Sequence, residues 1–305
     1  MSLYNLTSKP EYNQVFYANG GIWQIWNKPV GAKFIHLFVL GGGAGGGRGQ
    51  TANGGGVTRS GGVGGGSGAI AFGLFPANKV PDKLYIKVGQ GSIGAAAFTG
   101  TGTATASGAA ELSYVSVLPD TTSAVNLLLV SGAAAATGNT GSTIFVQTQA
   151  LLSYGGIVEG VAGINGGAGG ASSTPATYIS FTNSIVTGGA GGSGISSVES
   201  AGAAAGINAY SNITPLIAPG TNGATTNPGL PGGSGYTTRQ LITDVINREP
   251  MMFTGGAGGG CSSLNIGGAG GHATFGCGGG GSGAGGSGTS AGGNGGHGLV
   301  VITCS

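Results

Sequence analysis

The residues best suited to chemistry are the cysteines and histidines near the end of the chain. All three cysteines and two of the three histidines lie there, separated by ten, four, nineteen and six residues. Thiolate and imidazole groups are preferred ligands of zinc, but the short Cys-x-x-Cys spacing of many zinc sites is missing. Because free cysteine is among the most buried residue types, we expect these residues to fill space between glycine segments. The zinc candidates are Cys261, His272, Cys277, His297 and Cys304.

Two glycine patterns match the spacing of cofactor-binding or catalytic motifs but lack the neighbouring helix and acidic residue that those motifs need. Gly41-x-Gly43-x-x-Gly46 follows an apolar run, as in dinucleotide-binding loops, but no helical pattern and no suitably spaced acid follow it. Gly288 to Gly292 has the spacing of a nucleophile elbow, yet no Asp or Glu occurs after Glu249. We therefore predict no bound cofactor.

The acidic residues do not form a catalytic set. Glu111, Asp120, Glu159 and Glu199 are separated by long uncharged stretches. General acid–base catalysis needs positioned partners, and no pairing is visible in the sequence. His36 lies between apolar neighbours, which is typical of a structural side chain. The sequence therefore predicts that the protein is not an enzyme.

Composition excludes several further classes of protein. Glycine supplies 73 of the 305 residues, against a usual share of about 7%. Ten basic residues nearly balance eight acidic ones, so we expect no nucleic-acid partner. No apolar run approaches the ~20 residues of a membrane span, and no apolar signal-peptide core is visible near Met1. We expect a protein made in a reducing cytoplasm that does not insert into a membrane.

Short apolar segments alternate with the glycine runs. They contain four to eight residues, are rich in β-branched and aromatic side chains, and are bounded by Gly, Pro or Asn, which indicates β-strands. The fold is therefore predicted to be mostly β. The segments are 22–26, 34–40, 69–75, 84–88, 112–118, 126–130, 143–147, 178–181 and 299–303.

One segment has a helical pattern instead. Thr237 and Gln240 have the spacing of a capping box, an apolar stripe follows at helical spacing, and Pro250 ends it. We predict one short α-helix at about 238–249, packed on the β core. A partner-binding helix is the alternative interpretation.

The glycine runs allow two structures. Gly-Gly-Ala-Gly-Gly occurs five times, and such runs are unfavourable inside ordinary helices or strands. They could be flexible linkers. They could also be extended three-residue polyglycine-II helices, packed side by side with hydrogen bonds between them. Because the runs recur, carry almost no charge and separate many strands, we favour the ordered bundle.

The arrangement of these elements resembles a known family. Residues 22–47 contain a Trp-bearing strand, a Pro-x-Gly turn, an apolar strand and a glycine run; 69–91 and 278–303 continue the pattern. This resembles the glycine-rich domains of phage virion proteins, especially tail fibres and tail-tip adhesins. A similar arrangement occurs in the ectodomain of anaplastic-lymphoma-kinase-type receptors. The resemblance implies a jelly-roll-like β-sandwich with an inserted polyglycine-II helix bundle.

The resemblance covers residues 20–91 and 255–305 and implies a division of the chain. Residues 1–19 would be an N-terminal attachment arm, and residues 20–305 a single glycine-rich β domain with 92–250 as an idiosyncratic insertion. The implied function is a virion structural protein that contacts the host surface. A capsid decoration or head-fibre protein is one alternative. A free polyglycine-bundle protein that binds a ligand or ice is another.

Partners follow from the same interpretation. We expect the chain to associate with copies of itself, because its surface has few charges to prevent association. Threefold symmetry is what the resemblance implies. Other virion proteins would bind through residues 1–19. A host surface glycan is a further candidate partner, and tyrosines of the middle region could contact it. These are Tyr154, Tyr178, Tyr210 and Tyr236.

Overall fold

The fold is mostly β, with strands that are antiparallel in both larger sheets. The computed structural model describes residues 12–52, 58–134, 145–146, 153–170, 186–195, 220–221, 227–235 and 253–305. The predicted helix at about 238–249 and the predicted strand at 178–181 lie outside these residues. The strands are β1 Tyr12–Tyr17, β2 Gln24–Asn27, β3 Phe34–Leu40, β4 Ile70–Pro76, β5 Lys83–Lys87, β6 Phe98–Thr99, β7 Ser113–Ser116, β8 Leu127–Ser131, β9 Phe145–Val146, β10 Ile157–Val161, β11 Ile266–Gly267, β12 Gly288–Thr289 and β13 Leu299–Cys304.

Two five-stranded sheets contain most of these strands. The first has the order β1-β13-β3-β4-β10, and the second has the order β2-β5-β7-β8-β9. A small sheet, β11-β12-β6, contains one parallel pair, β11 with β12. The last strand of the chain, β13, lies between β1 and β3, so the first sheet is completed by the C-terminal residues.

One hydrophobic core contains side chains from both larger sheets. The strands supply it through alternate residues, because successive side chains of a strand point to opposite faces. The first sheet contributes Phe16, Ile35, Leu37, Val39, Phe75, Val300 and Ile302, and the second contributes Trp26, Leu84, Ile86, Val115 and Leu129.

A second core lies on the other face of the first sheet and explains the unbroken apolar run of β3. Phe38 and Leu40 point away from the first core, yet both are buried. They pack with Phe253 and Cys277 from the glycine-rich part of the chain. Both faces of this end of β3 are therefore covered by protein.

Segments expected outside the sheets take part in them. Tyr12–Tyr17, within the predicted N-terminal arm, forms β1 and pairs with β13 along its whole length. The stretch 92–250, expected as an insertion, contributes β7 and β8 to the second sheet and β10 to the first. These strands bring residues from the whole chain into the two sheets.

Candidate functional site

The three cysteines lie in three different places. Cys304 belongs to the core shared by the two larger sheets, and Cys277 belongs to the second core. Cys261 packs with Ile195 and Ala284 in a third, small cluster. All three are free and buried. The expectation that they fill space between glycine segments fits Cys261 and Cys277, whereas Cys304 lies on β13.

The two C-terminal histidines are exposed, so the expectation that they fill space between glycine segments is wrong for them; instead, their ring nitrogens bind the backbone. The Nδ1 atom of His272 accepts a hydrogen bond of 3.0 Å from the N–H of Asn294. The Nδ1 atom of His297 accepts one of 3.1 Å from the N–H of Gly91. Each imidazole therefore satisfies a main-chain donor of a neighbouring segment.

These positions do not assemble the zinc site that the five candidates could have formed. Among the described residues, which include all five, no three His, Cys, Asp or Glu side chains come close enough together to hold a metal ion. The structure does not bring the five candidates together, because the cysteines belong to separate clusters.

Burial makes two of the thiols poor nucleophiles. It raises the pKa of Cys277 to about 12 and that of Cys304 to about 11. The Sγ atom of Cys277 accepts a weak hydrogen bond of 3.4 Å from the N–H of Thr187. Because the thiolate is the reactive form of cysteine, these two side chains are chemically inert at neutral pH.

The glycines that match a dinucleotide-binding loop have their N–H groups engaged. Gly41 donates to the carbonyl of Ala69 at 3.1 Å, while Gly43 and Gly46 donate to carbonyls of the segment 293–296. A phosphate-binding loop needs free N–H groups directed at the ligand. These three glycines are therefore part of the scaffold.

Regular backbone hydrogen bonds join the glycine segments to one another. In one pair, the segment 62–68 donates to the segment 276–282, and the bonded residues recur every three positions. Hydrogen bonding in an antiparallel β-ladder repeats every two residues instead. In this pair Gly62 donates to Ser282, Gly65 to Gly279 and Gly68 to Gly276, each at 2.8 Å.

Residues 276–285, here called the central segment, are bonded to six neighbouring segments. Successive residues use their N–H and carbonyl groups for different neighbours, so three residues reach all six. Gly279 donates to Ala44 and accepts from Gly65, Gly280 donates to Gly271 and accepts from Gly293, and Gly281 donates to Ala190 and accepts from Gly259.

This close packing requires glycine at many positions. A Cβ on Gly278 would overlap the carbonyl oxygen of Gly65, and one on Gly256 would overlap that of Gly271. The central segment also contains larger residues, and these are buried too. Ser282, for example, is buried, and its Oγ accepts a hydrogen bond of 3.0 Å from the N–H of Gly49.

Two buried serines join the second sheet to the glycine segments. Ser113 on β7 donates to the carbonyl of Leu40 at 2.7 Å and accepts from the N–H of Gly89 at 2.9 Å. Ser131 on β8 donates to the carbonyl of Ala69 and accepts from the N–H of Gly41 at 3.2 Å. Both hydroxyls satisfy the backbone where strands change into glycine segments.

Two arginines lie among the glycine segments. Arg59 is buried and donates from Nη1 to the carbonyl of Ser263 at 2.9 Å. Burial lowers the pKa of its guanidinium, which the nearby Cys261 partly opposes. Arg48 lies 4.5 Å above the ring of Phe98, a cation–π contact, and donates to Thr105 Oγ1 at 2.9 Å.

The tyrosines expected to contact a glycan are mostly outside the described residues. Tyr178, Tyr210 and Tyr236 lie there, and Tyr154 is half-buried against the core of the larger sheets. Two half-exposed aromatic side chains that the sequence did not single out, Tyr85 and Tyr114, lie on the second sheet. The ring of Tyr114 lies near that of Trp23.

Comparisons with known proteins do not assign a function to these residues. No protein-family model matches the chain, and a search of the curated proteins finds no significant match. Within the described ranges, no helix is both long enough and apolar enough to cross a membrane.

Proposed function

We propose that this chain is a structural protein of a virion, a fibre or tail-tip component that contacts the host surface. Its core would be a jelly-roll-like β-sandwich, and its glycine segments would be polyglycine-II helices. The six-neighbour hydrogen bonding of the central segment is the observation that carries the proposal. This bonding supports a rigid, closely packed scaffold more than a ligand cavity or a catalytic cleft.

The three-residue register supports the polyglycine-II conformation. Such a helix has three residues per turn and no internal hydrogen bonds, so its N–H groups must bond to neighbours. With three residue positions around the helix, each donating and accepting once, six neighbours are the natural number. The central segment has bonds of this pattern to six segments.

The two larger sheets support the sandwich. They are antiparallel, share one core and have a non-sequential strand order in the first sheet, with β13 between β1 and β3. Such non-sequential order is common in two-sheet β folds. The glycine segments 41–51 and 58–69 connect β3 with β4, so they extend from the sandwich as inserted elements.

The proposed partners are those of a particle component. Copies of this chain would form a trimer or a larger symmetric array, residues 1–19 would contact other virion proteins, and the exposed surface would meet a host glycan. Since residues 12–17 form β1, the segment left for attachment is the shorter stretch 1–11.

Immunoelectron microscopy of purified particles tests the proposal. Particles that carry this chain would be incubated with gold-labelled antibody raised against the purified protein. We expect label at the tail tip or along fibres, and none on particles made without the chain. Label on the head would favour the alternative of a capsid decoration or head-fibre protein. Absence of label from every particle would overturn the virion assignment.

A further inference from the structure

The outer face of the second sheet carries aromatic side chains beside lysines. Leu84 and Ile86 of β5 and Val115 of β7 point into the core. Their neighbours along the strands therefore lie on the opposite face. These neighbours, together with Trp23 just before β2, form a surface that we call the aromatic face. Its members are Trp23, Tyr85, Lys83, Lys87 and Tyr114.

Strand register places Tyr114 beside Lys87, and the ring of Trp23 lies near that of Tyr114. Tyr114 on β7 is directly opposite Lys87 on β5. The rings of Trp23 and Tyr114 have centroids 6.4 Å apart and are tilted by 51°. Gly21 lies close to the Lys87 side chain, so that residue reaches from β5 towards the chain before β2. A lysine thus lies on this face beside two aromatic rings.

The aromatic face remains accessible within the described part of the chain. Trp23, Tyr85, Lys87 and Tyr114 are each partly exposed, and Lys83 is exposed. Trp26, three residues further along the chain, is only 3% exposed because it points into the core. Trp23 is therefore the tryptophan that a ligand can reach.

The charge of this face is mainly positive. Lys83 and Lys87 both lie on it, whereas the ion pair found among the described residues joins Lys28 with Asp82. Glu111, near Tyr114, is the acidic residue at its border. A ligand with carboxylate groups complements two lysines and one glutamate better than a neutral ligand does.

The chemistry of this surface fits a sugar. A pyranose ring has an apolar face of C–H groups and a rim of hydroxyls. The negative face of an aromatic ring attracts positively polarised hydrogen atoms, and the indole and phenol also provide hydrogen-bonding groups at their edges. Lys87 adds a cation within the same surface, where the carboxylate of an acidic sugar would be placed.

We propose that the aromatic face binds an acidic polysaccharide, with a sugar ring against Trp23 and Tyr114 and its carboxylate paired with Lys87. This inference deepens the proposed host-contact function and rests on it for its biological setting. The binding itself is tested on the purified full chain. A failure of binding would therefore leave the particle-labelling experiment unaffected, and the reverse also holds.

Titration with oligogalacturonate, followed by tryptophan fluorescence and calorimetry, is the test. The chain has two tryptophans, and Trp26 is buried, so a change in emission reports on Trp23. We expect saturable binding to oligogalacturonate and at least about tenfold weaker binding to a neutral galactose oligomer of equal length.

Substitutions on the aromatic face distinguish the contribution of aromatic stacking to sugar binding from that of charge. Lys87→Gln should weaken oligogalacturonate binding about tenfold, and Trp23→Ala or Tyr114→Ala should do so at least as much. Lys79→Gln and Tyr12→Ala are matched controls, because both residues are exposed and lie off this face. They should bind like wild type. Circular dichroism identifies any variant that fails to fold, and Lys87→Gln remains informative because it removes only a charge.

Four outcomes would overturn the inference. The first is no binding of oligogalacturonate by the wild-type chain. The second is unchanged binding by folded Lys87→Gln and Trp23→Ala variants. The third is equal competition by linear polyphosphate, which would show that charge alone suffices. Reduced self-association of the variants, without an effect on sugar binding, would likewise assign the face to a second copy of the chain.

Discussion

Cys277 is an inert thiol although its residue type first suggested metal chemistry. Its pKa is raised to about 12, and that of Cys304 to about 11, because both side chains are buried. Cys261 is also fully buried, beside Ile195 and Ala284. The three sulfur atoms therefore act as small apolar groups in this structure.

Thiol alkylation should show this inertness. We expect native protein at pH 8 to react with iodoacetamide at none of the three cysteines, because each is buried and a thiolate is needed for attack. Protein unfolded in guanidinium should react at all three. Mass spectrometry after a fixed exposure counts the labelled sites. Rapid labelling of Cys277 in native protein would contradict the buried position.

Asp120 organises the turn between β7 and β8. Its carboxylate accepts hydrogen bonds from the N–H of Thr122 at 2.8 Å, the Thr122 hydroxyl at 2.7 Å and Asn126 Nδ2 at 3.0 Å. The backbone and side chain of Thr122 and the side chain of Asn126 lower the pKa of Asp120 to about 2. The ionised form is thus favoured in the folded state.

The pH dependence of stability follows from this shift. Because the folded pKa is lower than the unfolded one, the stabilisation is complete above about pH 4 and is lost as pH falls towards 2. We expect Asp120→Asn to unfold at a lower denaturant concentration than wild type at pH 7. The two unfolding curves should converge near pH 2. An equal difference at both pH values would show that Asp120 acts through packing.

For single residues, spacing within a strand indicates which side chains are buried, but spacing along the chain does not indicate which side chains are close together in space. The three-residue separation of Trp23 and Trp26 puts their side chains on opposite faces of an extended segment, and Trp26 is buried whereas Trp23 is partly exposed. The grouping of cysteines and histidines along the chain did not predict proximity. Their separation depends on which glycine segments become neighbours, and sequence spacing does not encode that choice.

Among the elements, the glycine segments depend on the absence of a side chain. Gly278 shows this, because a Cβ there would overlap the carbonyl oxygen of Gly65. Gly108 is exposed, and a Cβ at that position would meet no heavy atom within 4 Å. The two glycines therefore form a matched pair that differs in the space available.

Alanine substitution should separate these two positions. Gly278→Ala should lower the free energy of unfolding by about 3 kcal/mol or more, because the packed backbones must move apart. Gly108→Ala should leave it unchanged or raise it by about 0.4–1 kcal/mol, because alanine restricts the unfolded chain. Denaturant titration measures both values. Similar stabilities of the two variants would argue against tight packing around the central segment.

The predicted strands were found where alternation or apolar runs were strong. The strand predicted at 34–40 is β3 with the same bounds, and the segment 84–88 corresponds to β5. β1 and β10 were missed. β1 has polar and aromatic residues without a clear period, and β10 contains Glu159 and Gly160. Their pairing with β13 and β4 is a tertiary effect that local patterns do not show.

For the whole molecule, the face of the first sheet that carries the second core offers a surface for self-association at its uncovered end. Phe34, Phe72 and Ile157 lie on it and are exposed, with Ile157 73% accessible. Cross-strand pairing brings Ile157 beside Leu74 and Phe72 beside Phe38. Exposed apolar patches of this kind often mark contacts between proteins.

Sedimentation at micromolar concentration should detect the proposed assembly. We expect the wild-type chain to sediment as a trimer or a larger symmetric species. Ile157→Glu should shift the distribution towards monomer, because a charge would have to be buried in the contact. Val30→Glu, at a fully exposed turn position, is the control and should sediment like wild type. A wild-type chain that stays monomeric would contradict the assembly proposal.

The central segment also fixes when the molecule can fold. It lies near the C-terminal end of the sequence, yet it bonds to segments that begin at residue 44. During synthesis, some N–H groups of the early glycine segments bond within residues 41–69, but those of Gly62, Gly65 and Gly68 find their partners only when the central segment has been made. β13, which joins β1 to β3, is made after the other described strands. These early segments consequently depend on the central segment for part of their hydrogen bonding, and a chain truncated before residue 276 would lack the partner that holds its first half together.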